Sequence, residues 1–185
     1  EASALSRPCR SAFAAVALAL GGAADAAAAQ TCTAPIPNGT CGVSTSVTLT
    51  VGQVLQLLLS TASSTLTAPA EGDYEAGYVA DAGPSATVQS NAPWTLGISA
   101  TAAVWTATNT EPATAARIDK PAGDLQWSTA VGGPFTPLST TPTLAASGSA
   151  TAGAVSSLFY RTTYSWALDT PGAYSLTIRF TLTAP

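Results

Sequence analysis

The chain has 185 residues, of which 9% are charged, with a formal net charge of −4 and no histidine. After residue 30 the only basic side chains are Arg117, Lys120, Arg161 and Arg179. That excludes binding nucleic acid through a displaced counterion atmosphere, and it excludes attraction to an anionic membrane through a polybasic segment.

Arg7 and Arg10 precede an apolar run over residues 13–20, Gly21 and Gly22 break it, and Ala27-Ala28-Ala29 leads to Gln30. A basic start, a short apolar stretch and an A-x-A site predict a secretory signal peptide over residues 1–29. The run falls short of the roughly 20 apolar residues that span a bilayer, so the mature form is not expected to cross a membrane. Residues 30–185 then form one secreted, extracellular or cell-surface domain, long enough to bury a core without metals. With no methionine in the chain, Glu1 is not expected to be a native translation start.

Cys9 leaves with the leader, and Cys32 and Cys41 enclose TAPIPNGT. Pro35, Pro37 and Asn38-Gly39 turn the chain back, and export favours oxidation, so a Cys32–Cys41 disulfide is expected. A metal pair would lack a histidine or third cysteine to complete it. Asn38-Gly39-Thr40 matches the glycosylation sequon, as chance produces in a threonine-rich chain.

Val43, Thr45, Val47, Leu49 and Val51 then alternate with Ser44, Ser46, Thr48 and Thr50. Period two sends the two sets to opposite faces of a strand. This strand carries no charge, so it either pairs within its own domain or is offered to a neighbour as an added strand. Residues 54–59 resume as a more buried strand. Residues 78–80 and 86–89 are weaker candidates. Trp94, Leu96 and Ile98 alternate with Thr95, Gly97 and Ser99, and residues 104–108 and 125–129 are shorter strands.

Leu158, Tyr160, Thr162, Tyr164, Trp166 and Leu168 form one alternating face, and Tyr174, Leu176, Ile178, Phe180 and Leu182 form another. Asp169-Thr170-Pro171-Gly172 between them is a turn sequence, so the two runs predict a long antiparallel hairpin. Residues 68–84, 110–123 and 140–154 are expected to be loops, the last a flexible surface one. No stretch after Gln30 has sustained helical periodicity with caps. The pattern predicts an all-β fold, an antiparallel β-sandwich of Ig-like or jelly-roll-like form.

The chain contains no Ser–His pair and no G-x-S-x-G elbow, and its mature cysteines are expected to be bonded. Glu71, Asp73, Glu75, Asp81, Asp119 and Asp124 read as solvated loop charges rather than as a carboxylate pair across a sugar cleft. The chain is therefore not expected to be an enzyme, and no cofactor is expected. Glu71, Asp73 and Glu75 alternate, so in an extended segment their carboxylates share a side; they are the candidate calcium ligands, against a polar turn. Trp94 and Trp166 lie in phase with apolar neighbours and are expected in the core. Trp105 and Trp127 have ambiguous phase and are the candidate ligand-facing aromatics.

Trp94-Thr95-Leu96 resembles the Trp-x-Leu motif of WxL bacterial surface domains. The final run, residues 174–182, resembles that family's second motif, with Phe180 in place of tryptophan. The resemblance implies a secreted β-sandwich attached non-covalently to the cell wall. The N-terminal disulfide loop followed by Thr-rich alternating strands also resembles secreted pilus subunits of the spore-coat-U and fimbrial type. That resemblance implies polymerisation, with an extended N-terminal segment completing a neighbour's sheet. The leading expectation is a non-catalytic structural protein of the cell envelope, a pilus or fibre subunit that self-associates through sheet edges by Val43, Val47, Leu49 and Val51. A WxL-like wall-binding module and a soluble glycan-binding domain are the alternatives.

Overall fold

A computed structural model describes residues 31–33 and 39–184. The expected leader and Asn38 of the sequon lie outside the described residues. The chain divides into two units, Glu1–Val51 and Gly52–Pro185.

In the first unit Cys32 and Cys41 lie at disulfide-bonding distance, with Cα atoms 5.8 Å apart. Residues 43–51 are exposed throughout and make no strand pairing among the described residues, against the expectation of a strand. Alternation fixes which side chains would share a face. A ladder also needs a partner whose N–H and C=O groups are free, and periodicity names no partner.

The second unit is built almost entirely of antiparallel strands. They are β1 (Leu55–Leu59), β2 (Tyr78–Ser90), β3 (Trp94–Ala100), β4 (Thr106–Thr108), β5 (Leu125–Ser128) and β6 (Thr136–Pro137). After them come β7 (Thr143–Gly148), β8 (Thr151–Thr163), β9 (Ala173–Ser175) and β10 (Ile178–Thr183). One sheet runs β1-β2-β8-β5-β6, a second β10-β3-β7, and β4 pairs with β9 alone. The all-β, sandwich-like expectation holds.

Alternation builds the core. Trp94, Leu96 and Ile98 of β3 are buried, as their phase predicts, with Trp94 4% exposed. Leu96 and Trp94 pack with Ala86 and Val88 of β2, while Leu55, Leu57 and Leu59 of β1 cover that cluster. Ile98 joins Trp105, Leu125, Trp127, Leu158 and Tyr160 in a second cluster, against which Ile178 and Phe180 of β10 pack. The two larger sheets thus face each other across apolar side chains delivered every second residue.

The register of β2 on β8 shifts between Ala82 and Ser85. A Cβ at Gly83, inside that shift, would stand 2.9 Å from the Tyr160 ring and 3.1 Å from the Leu158 carbonyl oxygen. Only a residue without a side chain lets the strands approach that closely there.

Four expectations are corrected. The 158–168 and 174–182 runs do not form a hairpin: β8 pairs with β2 and β5, and β10 pairs with β3. Each run carries one apolar face, and each buries it in a different sheet. Residues 140–154 are not a flexible loop, because β7 and the start of β8 occupy most of them. Small Ala, Ser, Thr and Gly side chains suit close strand approach as well as loops, so composition alone misled. Residues 68–84 hold the short helix α1 (Glu71–Ala76) and the first half of β2, which joins the 78–80 and 86–89 segments into one strand. Gly77, with φ of 79°, ends α1 in the left-handed conformation.

Trp166 is the fourth correction. β8 stops at Thr163, and Trp166 sits in the following turn, 64% exposed. Trp94→Ala should therefore cost about 3–5 kcal/mol, the usual range for deleting a buried large aromatic. Trp166→Ala should cost less than about 1 kcal/mol. Urea midpoints for the two variants that shift equally would reject this assignment of faces.

Candidate functional site

The residues singled out in the sequence fall in both units. Val43, Val47, Leu49 and Val51 lie in the first unit and are exposed. Trp105 and Trp127 are buried, so neither presents its ring to the surface. The Trp105 indole N–H donates to the Pro121 carbonyl at 3.1 Å. The buried aromatic faces follow from the strands they occupy: Trp127 points inward from β5 with Leu125.

Glu71, Asp73 and Glu75 sit on α1 rather than on an extended segment. At helical spacing Asp73 turns away from the side shared by Glu71 and Glu75. Asp73 accepts a hydrogen bond from the Ala70 N–H at 2.8 Å and so caps its own helix. Among the described residues no group of three His, Cys, Asp or Glu is placed to hold a metal ion.

What the second unit does offer is an open cavity of about 890 Å³. Leu125, Tyr160 and Thr162 line it from the five-stranded sheet, and Ile178 and Phe180 from β10. The irregular segment 61–69 runs along it, with Leu66 packed on the core. That segment is held by Thr67, whose N–H and hydroxyl donate to Asp81 Oδ1 at 3.1 and 2.6 Å. Trp105 also lines the cavity, as a wall rather than a surface platform.

A charged cluster closes one end. The bridge between Val104 and Pro121 returns the excursion after β4 to the fold and delivers Lys120 inward. Lys120, the only lysine of the chain, is 2% exposed. Its ammonium donates to Asp169 Oδ1 at 2.7 Å, to the Thr163 carbonyl at 3.1 Å and to Asp124 Oδ2 at 3.2 Å. The Arg117 guanidinium donates to Asp169 Oδ1 at 3.1 Å and lies 3.5 Å from Asp124 Oδ2. The Ser165 N–H donates to Asp169 Oδ2 at 2.8 Å. Burial pushes the Asp169 carboxyl up, but the hydrogen bonds from Lys120, Ser165 and Arg117 and the Lys120 charge outweigh it and hold its pKa below the ordinary value. The sequence reads Asp124 as a solvated loop charge, places Arg117 and Lys120 in a loop and Asp169 in a turn, and does not join them. The available signal was one lysine placed between carboxylates in a chain otherwise almost free of charge.

Three aromatics stand beside this cluster. Trp166 stacks on Tyr74 with ring centroids 4.4 Å apart, and Tyr164 meets Tyr74 at 5.7 Å. Burial, aided by the Asp81, Tyr74 and Asp169 charges or dipoles, pushes the Tyr164 hydroxyl up to about 12, and the neighbouring Thr162 hydroxyl offsets a part. Burial alone pushes Tyr160 up to about 12. Thr162 Oγ1 is buried and makes no well-formed hydrogen bond among the described residues. Chemically, the arrangement is a cavity of mixed lining, with aliphatic and aromatic side chains beside many hydroxyls and with its charges already paired.

Asp169→Ala should destabilise the protein by about 3 kcal/mol, because it removes the nearest carboxylate from a buried ammonium that keeps only Asp124 and the Thr163 carbonyl; a loss under about 1 kcal/mol in urea would show that the cluster does not hold this end together. A raised tyrosine pKa means the fold binds protons that the unfolded chain releases. Stability is then complete below pH 10 and falls as pH rises from 10 towards 12. Tyr160→Phe should reduce that alkaline loss, as read from denaturation midpoints at pH 9 and 11.5.

No protein-family model matches the chain, and no curated protein matches it.

Proposed function

We propose that the chain is a secreted, non-catalytic structural protein that self-associates through sheet edges, as a subunit of a pilus or other extracellular fibre. The observation that carries this reading is the state of residues 43–51. They alternate as a strand does, carry no charge, and are exposed without strand pairing among the described residues. Val47 and Leu49 are 88% and 85% exposed. Such a segment keeps its backbone groups and its apolar face available for another chain.

Acceptors exist in the second unit. Strands β1, β6, β7 and β10 are each paired on one side only. Of these, β1, β7 and β10 are long enough to take a five- or six-residue ladder and, like the donor, mix apolar with uncharged or singly charged residues. The WxL-like wall-binding reading is less well supported, because Trp94 and Leu96 of the matching motif are core side chains and cannot touch a ligand.

Sedimentation velocity and electron microscopy of the exported chain test the proposal, alongside a version lacking residues 30–51 and the double variant Val47→Lys, Leu49→Lys. The intact chain should assemble in a concentration-dependent way, and both altered forms should stay monomeric while melting cooperatively. An intact chain that remains monomeric at high concentration and co-sediments with peptidoglycan would overturn the fibre reading.

A further inference from the structure

Lys120 and Asp169 are the two halves of an amide held in contact. Lys120 is the only lysine of the chain, and its side chain is 2% exposed. Its Nζ stands 2.7 Å from Asp169 Oδ1, on a side chain 6% exposed. In bulk water an amine and a carboxyl rarely meet, and solvent opposes their condensation. Well-oriented groups fixed in one molecule react as if present at about 10⁵–10⁸ M, and burial keeps bulk water away from the product.

The neighbours of this pair supply the remaining parts of an acyl transfer. Asp124 Oδ2 lies 3.2 Å from the same Nζ, so a second carboxylate is in reach to carry a proton. The Ser165 N–H donates to Asp169 Oδ2 at 2.8 Å, where negative charge develops when the carboxyl is attacked. The Arg117 guanidinium donates to Oδ1 at 3.1 Å. The Tyr164 ring centroid is 5.0 Å from Nζ and covers another side of the amine.

Charge balance points the same way. Lys120 and Arg117 face Asp124 and Asp169 in the interior, while Asp119, the other partner of Arg117, is exposed. Each ion taken out of water is costly. Joining Lys120 to Asp169 removes one charge of each sign and leaves Arg117 with Asp124, 3.5 Å away, as a matched pair.

We infer that Lys120 and Asp169 condense in the folded chain to an intramolecular isopeptide bond. One ammonium proton moves along the 2.7 Å hydrogen bond to Asp169 Oδ1, leaving a neutral amine and a neutral acid. The amine lone pair attacks Asp169 Cγ, the N–C bond forms, and the carbonyl π pair moves onto Oδ2, against the Ser165 N–H. Asp124 takes a second proton from the nitrogen and hands it to the Oδ1 hydroxyl. The carbonyl re-forms, the Cγ–Oδ1 bond breaks with its electron pair, and Oδ1 leaves as water. The nitrogen keeps its third proton as the amide N–H. The bond ties the excursion after β4 to the turn after β8. It uses no residue of the self-association segment, so its failure leaves that reading intact.

Tryptic digestion of the folded, reduced chain, read by mass spectrometry, tests the bond. Cleavage after Arg117, Arg161 and Arg179 releases residues 118–161 and 162–179, because Pro121 protects the bond after Lys120. The two peptides should appear as one branched species, lighter than their sum by one water. Folded Lys120→Arg should release them separately. So should parent chain recovered unfolded in urea from inclusion bodies, and refolding it should then produce the branched species with time. Asp124→Asn should refold with cooperative melting and form the link at least about a hundredfold more slowly, the scale of general acid–base assistance. Separate peptides of full mass from the folded parent chain would overturn the inference. A branched species already present in chain that has never folded would overturn it too, and linking by Asp124→Asn at the parent's rate would overturn the proton path through Asp124.

Discussion

A buried ammonium organises one end of this β-structure. Lys120 collects the Asp169 and Asp124 carboxylates and the Thr163 carbonyl, and Arg117 closes the network from the other side. Those contacts join two stretches far apart in sequence: the excursion after β4, and the end of β8 with the turn that leads to β9. The same junction is laced by neutral bonds, from the Thr170 hydroxyl to the Ala115 carbonyl and from the Tyr174 hydroxyl to the Thr170 carbonyl. A buried ion pair is weak evidence of net stability, since desolvation opposes it. What it does give is a set of mutual partners: one lysine, one arginine and two carboxylates are paired at a single junction.

The position of that junction decides the form of the cavity. With the turn after β8 held against the excursion before β5, the polar end is fixed, and Tyr164 and Tyr74 are brought to the same wall. The opposite wall comes from β10, which pairs only with β3 and so has an edge turned outwards. Behind Tyr160, one of the lining residues, the missing side chain of Gly83 lets β2 pass close over the ring. Charge pairing and an edge strand together shape an opening lined by core residues and by serine, threonine and tyrosine side chains.

The two units pose different physical problems. In the second, apolar side chains find partners across two facing sheets, and its edge strands are short. In the first, residues 43–51 present valines and a leucine to solvent without a ladder among the described residues. A segment with strand chemistry and no strand partner is in free-energy terms an unfinished sheet, and association with another chain is the ordinary way such a segment is completed.

The sequence by itself determined the class of the fold and the faces of its best strands. Trp94, Leu96 and Ile98 are legible as core because alternation ties residue parity to a face, whereas β5 and β1 are legible only as strands, and β1, expected to be more buried, alternates between half-buried and exposed. The disulfide-distance pair Cys32 and Cys41 was legible from spacing. Periodicity carries no information about partners, and that is where tertiary structure decided. Residues 158–168 and 174–182 were read as each other's partners because they are adjacent in sequence, yet each lies in a different sheet. Trp166 kept the phase of β8 but fell beyond its end, so phase alone put it on the wrong side of the surface. Trp105 and Trp127 went the other way, since short strands give too few alternations to fix a face. Lys120 is placed by the sequence only within a loop, residues 110–123, with no partner named. Only when Asp169, 49 positions away, and Asp124 are brought to it does burial become possible. The physical reason is common to all of these: alternation and turn chemistry are local, whereas pairing, burial of charge and the opening of a cavity depend on which distant segments meet.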